Sequence, residues 1–137
     1  MSIENCKIID LQVINDHRGK ISIAESGIQV PFDIKRVYYL FDVPTSAERG
    51  GHAHRELQQV LIAVSGSFNV HIDDGYNKRT FNLNHPSKGL SLCPMIWREL
   101  DGFSGGSVCL ALVSDHYNEN DYYQYPFYLQ MLLLYNF

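Results

Sequence analysis

Ser67-Phe68-Asn69-Val70-His71-Ile72-Asp73, followed by Asp74-Gly75, is the stretch that decides the fold class. Phe68, Val70 and Ile72 fall on one side of an extended chain and Asn69, His71 and Asp73 on the other, the two-residue period of a half-buried strand. The side with His71 is expected to face solvent. Asp-Gly is a strong hairpin signal, because both residues tolerate positive φ. Outward from this hairpin the chain repeats the pattern of short β-prone runs between turns. The runs are 8–14, 20–25 after the turn Asp16-His17-Arg18-Gly19, 34–42, 56–64 closed by Ser65-Gly66, 79–83, 89–93 and 108–114. Many short strands with regular turns predict an all-β sandwich or barrel.

Beyond Asp115 the character changes. Asn120-Asp121 reads as a helix cap, and Tyr122, Tyr123, Tyr125, Phe127, Tyr128, Leu129, Leu132 and Leu133 as the apolar face of a short C-terminal helix whose start Pro126 complicates. Such a tail either covers the barrel or packs on a partner subunit.

The 137 residues, 45% hydrophobic and 19% charged, make one globular domain spanning 1–137. A net charge of −4 offers no general attraction to nucleic acid or to an anionic membrane. Cys6, Cys93 and Cys109 are an odd number without paired spacing, and Met1-Ser2-Ile3-Glu4-Asn5 lacks the basic and apolar regions of a signal peptide. The expectation is a reduced, cytoplasmic protein. The apolar run 131–135 is too short to span a bilayer.

Chemistry concentrates in Arg49-Gly50-Gly51-His52-Ala53-His54. On a strand, His52 and His54 point to the same face. Two imidazoles sharing one cavity suit either a metal ion or proton transfer near neutral pH; the bland reading is a pair of hydrogen-bonded wall residues. Arg36 and Tyr38 share strand parity in the run 34–42 and face one cavity if that run is a strand. An anionic small molecule could bind through local arginines, since planar guanidinium groups suit it; Arg18, Arg36 and Arg98 are candidate ligand contacts, each weighed against a solvated surface arginine. Trp97 is either core or a stacking platform, with core favoured two to one.

The His-x-His segment, with Gly66 six intervening residues after Gln59, resembles the first motif of cupin barrels. The position that carries a metal-binding glutamate in many cupins is Gln59 here. The region matching the second cupin motif, Gly89 through Pro94 to Trp97-Arg98-Glu99, has Arg98 where a histidine is expected. A guanidinium repels a cation, and two imidazoles plus an amide oxygen suit common divalent metals poorly. Proton transfer is therefore preferred over a metal site.

A closer resemblance lies in Pro31-Phe32-Asp33-Ile34-Lys35-Arg36-Val37-Tyr38-Tyr39, Arg49 to His54, Gln59-Val60-Leu61, Gly66-Ser67, Asp74-Gly75, Gly89-Leu90, Trp97-Arg98-Glu99 and Asp121-Tyr122. Over about 8–128 the chain resembles the nucleotide-sugar 3,4-ketoisomerases. The resemblance implies a cupin double-stranded β-helix, or jelly-roll, with no metal and no organic cofactor. It implies a homodimer with amino-terminal strands exchanged between subunits. The implied reaction moves the keto group of dTDP-4-keto-6-deoxy-D-glucose from C4 to C3 through an enediol, toward 3-amino-3,6-dideoxy sugars. His52 and His54 match the family's active-site histidines, with His52 favoured as the main proton shuttle. Tyr38 completes the catalytic candidates; Arg18, Arg36, Arg49, Gln59, Trp97 and Arg98 are the substrate-binding candidates. In the family, the positions of Arg18 and Arg98 go with the product's C4 configuration: Arg then His for galactose-type, Tyr then Arg for glucose-type. This chain has arginine at both, so the configuration stays open. A deoxysugar epimerase, a non-catalytic sugar-nucleotide-binding cupin and a metal-dependent cupin are the alternative readings.

Overall fold

In a computed structural model, residues 2–125 and Leu134 are described. Among them, the strands are β1 (Lys7–Asp10), β2 (Gln12–Asp16), β3 (Gly19–Ile23), β4 (Arg36–Leu40), β5 (Arg49–His54), β6 (Gln59–Ser65), β7 (Phe68–Asp73), β8 (Lys78–Leu83), β9 (Lys88–Leu92), β10 (Trp97–Asp101), β11 (Val108–Val113) and β12 (Tyr122–Tyr123). They form two five-stranded sheets, β1-β9-β6-β11-β4 and β12-β5-β10-β7-β8, and a separate β2-β3 hairpin. All strand pairs are antiparallel. The non-sequential order is that of a jelly-roll, the cupin barrel that the resemblance implies.

The core lies between the two large sheets. Phe68, Val70 and Ile72 of β7 point into it, as their alternation predicts, and meet Leu61, Leu90, Leu92 and Phe103. The Phe68 and Phe103 rings stack with centroids 5.2 Å apart. Strand β6 is buried on both faces, which explains its unbroken apolar run. Its outward Val60 and Ile62 are covered by Val30 and Phe32 from the segment after β3. Gly66 ends β6 at φ +67, and a Cβ there would lie 2.4 Å from Ser104 Oγ, so both conformation and space require glycine.

The structure departs from the sequence reading in three places. The run 8–14 is not one strand: the chain leaves β1 at the buried Leu11, whose N–H donates to the Ser87 carbonyl at 2.9 Å, and turns into the β2-β3 hairpin. β10 lies in a region with no strand pattern, because its inward positions are Arg98 and Leu100 and a charge at a core position breaks the alternation. The C-terminal helix does not start at Asn120-Asp121. Glu119–Asp121 is a single 3₁₀ turn capped by the Asn118 side chain, and Tyr122 and Tyr123 pair with His54 and Ala53 at the edge of β5. The rest of the expected helix, 126–133, lies outside the described residues.

Candidate active site

A cavity of about 270 Å³ opens inside the barrel. Arg36, Tyr38 and Leu40 of β4 line it, as their shared parity requires, together with Arg49 and His52 of β5, Gln59 and Leu61 of β6, and Arg98 and Leu100 of β10. Cys109 of β11 and Tyr117 and Tyr122 complete the wall. The volume is just below the roughly 300–1,000 Å³ typical of small-molecule sites, room for a sugar ring with the rest of a larger ligand outside.

The glycines ahead of His52 place it. Gly50 and Gly51 both have positive φ, +79 and +73. The β5–β10 register shifts there: Arg98 pairs with His52 and Glu99 with Gly50, so Gly51 is the extra residue of a bulge. A Cβ on Gly50 would sit 3.0 Å from the Arg98 carbonyl oxygen. The bulge turns His52 inward directly beside Arg98.

The two imidazoles are neighbours with unequal roles. Their centroids are 4.7 Å apart, edge to face, and Tyr122 lies against both at 4.9 and 4.5 Å. His52 faces the cavity, whereas His54 is 1% exposed and lies behind it. The His54 Nδ1–H donates to Asp121 Oδ2 at 3.2 Å, a direction fixed by the carboxylate's being an acceptor. That tautomer leaves Nε2 as a lone pair, buried and without a hydrogen-bond partner among the described residues. Asp121 is itself anchored by the Glu56 and Leu57 N–H groups at 2.9 and 3.3 Å. Asp121 and Tyr122 were legible only as motif residues and a helix cap; their place against the histidines comes from β12 folding back on β5.

Electrostatics keep both rings neutral. Burial, and then the Arg98 guanidinium, push His52 down to about 4, with the Gly50 backbone partly opposing. Burial, followed by Arg98, His52 and Arg36, holds His54 well below the usual imidazole value. Burial pushes the Cys109 thiol up to about 12, so it is neutral and no base at physiological pH. Burial likewise raises the Tyr38 hydroxyl, which stays protonated.

Arg98 is 1% exposed. Its Nε and Nη2 donate to the Ile96 carbonyl at 3.2 and 2.9 Å, and its Nη1 donates to Gln59 Oε1 at 2.6 Å. Gln59 Nε2 donates to the Tyr38 hydroxyl at 2.6 Å. The Gln59 oxygen that a metal would need is thus held by a cation. The Arg36 guanidinium packs on the Tyr38 and Tyr117 rings at 5.5 and 5.6 Å, with a buried Nε that has no partner among the described residues.

Of the nine candidates read from the sequence, the structure brings Tyr38, Arg36, Arg49, His52, Gln59 and Arg98 to the cavity wall, with His54 directly behind. Two stand elsewhere. Arg18 is on the β2-β3 turn, 78% exposed and paired with Asp16 at 2.8 Å. Trp97 alternates with inward Arg98, so it lies on the other face of β10, half-buried against the Ala53, Met95 and Tyr123 cluster, and donates from its indole N–H to Glu99 at 3.0 Å; it is not part of this cavity. His71, on the outer face as its alternation requires, bonds Thr80 and Asp101 at 2.8 and 2.7 Å.

A neutral imidazole facing a cavity with a protonated phenol and several guanidinium groups can remove a proton next to a carbonyl and stabilise the oxygen charge that results. Residues 4–132 match the family described as FdtA: WxcM-like, C-terminal. The chain is 42% identical over 116 residues to the TDP-4-oxo-6-deoxy-alpha-D-glucose-3,4-oxoisomerase of Aneurinibacillus thermoaerophilus, covering 85% of this chain and 84% of that protein. It is similar to the TDP-quinovose 3,4-ketoisomerase WlaRB of Campylobacter jejuni, with 44% identity, a TM-score of 0.89 and coverage of 93% and 99% of the two chains. It is also similar to a histidine-to-asparagine variant of the 3,4-ketoisomerase QdtA from Thermoanaerobacterium thermosaccharolyticum, solved in complex with TDP-4-keto-6-deoxyglucose. That match has 39% identity, a TM-score of 0.90 and coverage of 93% of each chain. With its jelly-roll fold and a match over nearly its whole length, the chain belongs to the FdtA-like family.

Proposed function

We propose that this chain is a 3,4-ketoisomerase acting on TDP-4-keto-6-deoxyglucose. The carrying observation is the neutral, cavity-facing His52 set among the Tyr38 hydroxyl and the arginines; the activities named for relatives about 40% identical supply the substrate. His52 takes the C3 proton, which the C4 carbonyl acidifies. The electrons form a C3–C4 double bond and leave negative charge on O4, where a donor hydrogen bond stabilises the enediolate. The imidazole returns to C4 the proton taken from C3, and the O3 proton is released as O4 takes one up, which completes the C3 ketone with no net gain or loss of protons. One carbon is oxidised as its neighbour is reduced, so the balance needs no redox cofactor. His54, fixed by Asp121, presents its Nε2 lone pair beside His52 and shares the proton transfer. Arg36 and Arg49 hold the diphosphate at the mouth, and Arg98 sits against the sugar ring.

Anaerobic incubation with TDP-4-keto-6-deoxyglucose, followed by proton NMR, is expected to give a 3-keto sugar. A 4-keto product epimerised at C3 or C5 points to the epimerase reading instead. Tight nucleotide binding without turnover points to a binding module.

We infer further that the protein works as a homodimer with exchanged amino-terminal hairpins. Among the described residues, the β2-β3 hairpin pairs only with itself, and it exposes Val13, Ile14 and Ile21, the last 61% exposed. Edge strand β4 exposes Val37 and Tyr39 on the face opposite Arg36 and Tyr38, and the exposed Phe41 follows it. Exposed apolar side chains grouped on a hairpin and on an edge strand are what a subunit contact would cover. Arg18, at the hairpin tip, then contacts substrate in the partner's cavity. Sedimentation is expected to show a dimer that Ile21→Asp dissociates; a monomeric parent protein contradicts this. The free thiols of Cys6, Cys93 and Cys109 suit the cytoplasm, the compartment we assign. Among the described residues, no helix is long and apolar enough to cross a membrane.

A further inference from the structure

The hydrogen bonds in the cavity wall run in one direction. Arg98 has only donors. Its Nη1 lies 2.6 Å from Gln59, which fixes the amide with its oxygen toward Arg98 and its nitrogen toward Tyr38. The amide N–H therefore donates to the Tyr38 oxygen, also at 2.6 Å. The phenol spends an acceptor lone pair on the wall and keeps its proton. Among the described residues, Gln59 is the one side chain that hydrogen-bonds this hydroxyl, and Tyr38 lines the cavity that His52 also lines.

We propose that Gln59 is a positioning residue: oriented by Arg98, it forces the Tyr38 hydroxyl to donate into the cavity, onto the substrate oxygen that becomes the enediolate. This rests on the ketoisomerase reading. Burial, which keeps the phenol protonated, is consistent with it. The glutamine is then chosen for polarity rather than shape. A carboxylate at this position has only acceptors, so it would satisfy Arg98 equally well but draw the Tyr38 proton to itself.

The test uses Gln59→Glu, Gln59→Met and Tyr38→Phe, assayed for kcat, KM and Tm on TDP-4-keto-6-deoxyglucose. An inactive parent protein defeats the ketoisomerase reading; an active one allows the polarity to be tested by itself. Gln59→Glu is expected to keep its Tm and lose at least ~10-fold in kcat with little change in KM, the signature of an interaction made in the transition state. Gln59→Met strands Arg98 and lowers Tm, yet leaves the phenol free to turn to the substrate, so it retains more kcat than Gln59→Glu. Tyr38→Phe in the Gln59→Glu background is expected to add less than about a 2-fold loss, because the donor is already gone. A structural role for Gln59 predicts the reverse order, with methionine worse than glutamate. That order, or losses from Tyr38→Phe and Gln59→Glu that multiply, overturns the proposal. If Gln59→Glu does not fold, Tyr38→Phe must still cost more kcat than Gln59→Met; the opposite result overturns it too.

Discussion

His52→Asn is expected to lower turnover of TDP-4-keto-6-deoxyglucose by at least ~10²-fold, the usual scale for removing a general acid–base group, while the protein remains folded. Asparagine keeps polarity and approximate size at a partly buried position, so the bulge at Gly50-Gly51 and the pairing with Arg98 remain. What it removes is the lone pair that faces the cavity. His54 cannot replace it at full rate, because it lies behind the wall with Nδ1 committed to Asp121. The loss falls on kcat, with substrate affinity little changed. Near-normal turnover in the folded variant would move the base elsewhere. The same reasoning sets the acid limit of the parent enzyme. His52 is held down to about 4, so kcat/KM is expected to stay high well below pH 6.5 and to fall as the pH approaches that lower value.

The second large effect belongs to Arg98→Met. The side chain is buried, and its removal leaves the Ile96 carbonyl and the Gln59 oxygen without their donor. Two stranded buried acceptors cost about 2–5 kcal/mol in total, visible as a clear fall in Tm. A second consequence is electrostatic. Arg98 helps to keep both imidazoles neutral; without it the acid limb of kcat/KM moves up toward pH 6.5. The sign for stability follows by linkage. The folded His52 has a lower pKa than the unfolded one, so between pH 6.5 and about 4 the unfolded chain binds more protons and stability falls as pH falls. In Arg98→Met that window narrows from below, and the pH dependence of Tm is shallower. An unchanged acid limb in a folded variant would show that the guanidinium does not act on the histidines.

Much of this architecture was legible because local pattern and tertiary burial agree. The alternation in β7, the parity that puts Arg36 and Tyr38 on one face of β4, and the His-x-His pair in β5 all follow from a two-residue period. The misses share a cause. β10 carries an arginine at a core position, where the Gln59 oxygen, 39 positions earlier in the chain, accepts from it beside the neighbouring Ile96 carbonyl. No local window contains that information. Asp121 has the sequence context of a helix cap, yet its carboxylate is consumed by His54 and by the backbone of Glu56 and Leu57, which lie more than 60 positions earlier. Trp97 follows the same strand outward that brings Arg98 inward, a parity that becomes readable only once β10 is known. Arg18 sits on the exposed tip of the β2-β3 hairpin, paired with Asp16, so its turn was legible in the sequence while no cavity contact follows from it.

The central claim is that an imidazole in this cavity moves a proton from C3 to C4 of a keto sugar. Turnover of TDP-4-keto-6-deoxyglucose in deuterated water, read by NMR, tests it most directly. The account predicts a 3-keto product whose C4 carries solvent deuterium where the imidazolium exchanges before returning its proton, and the former C3 hydrogen where it does not. Deuterium confined to C3 or C5 of a retained 4-keto sugar would contradict it.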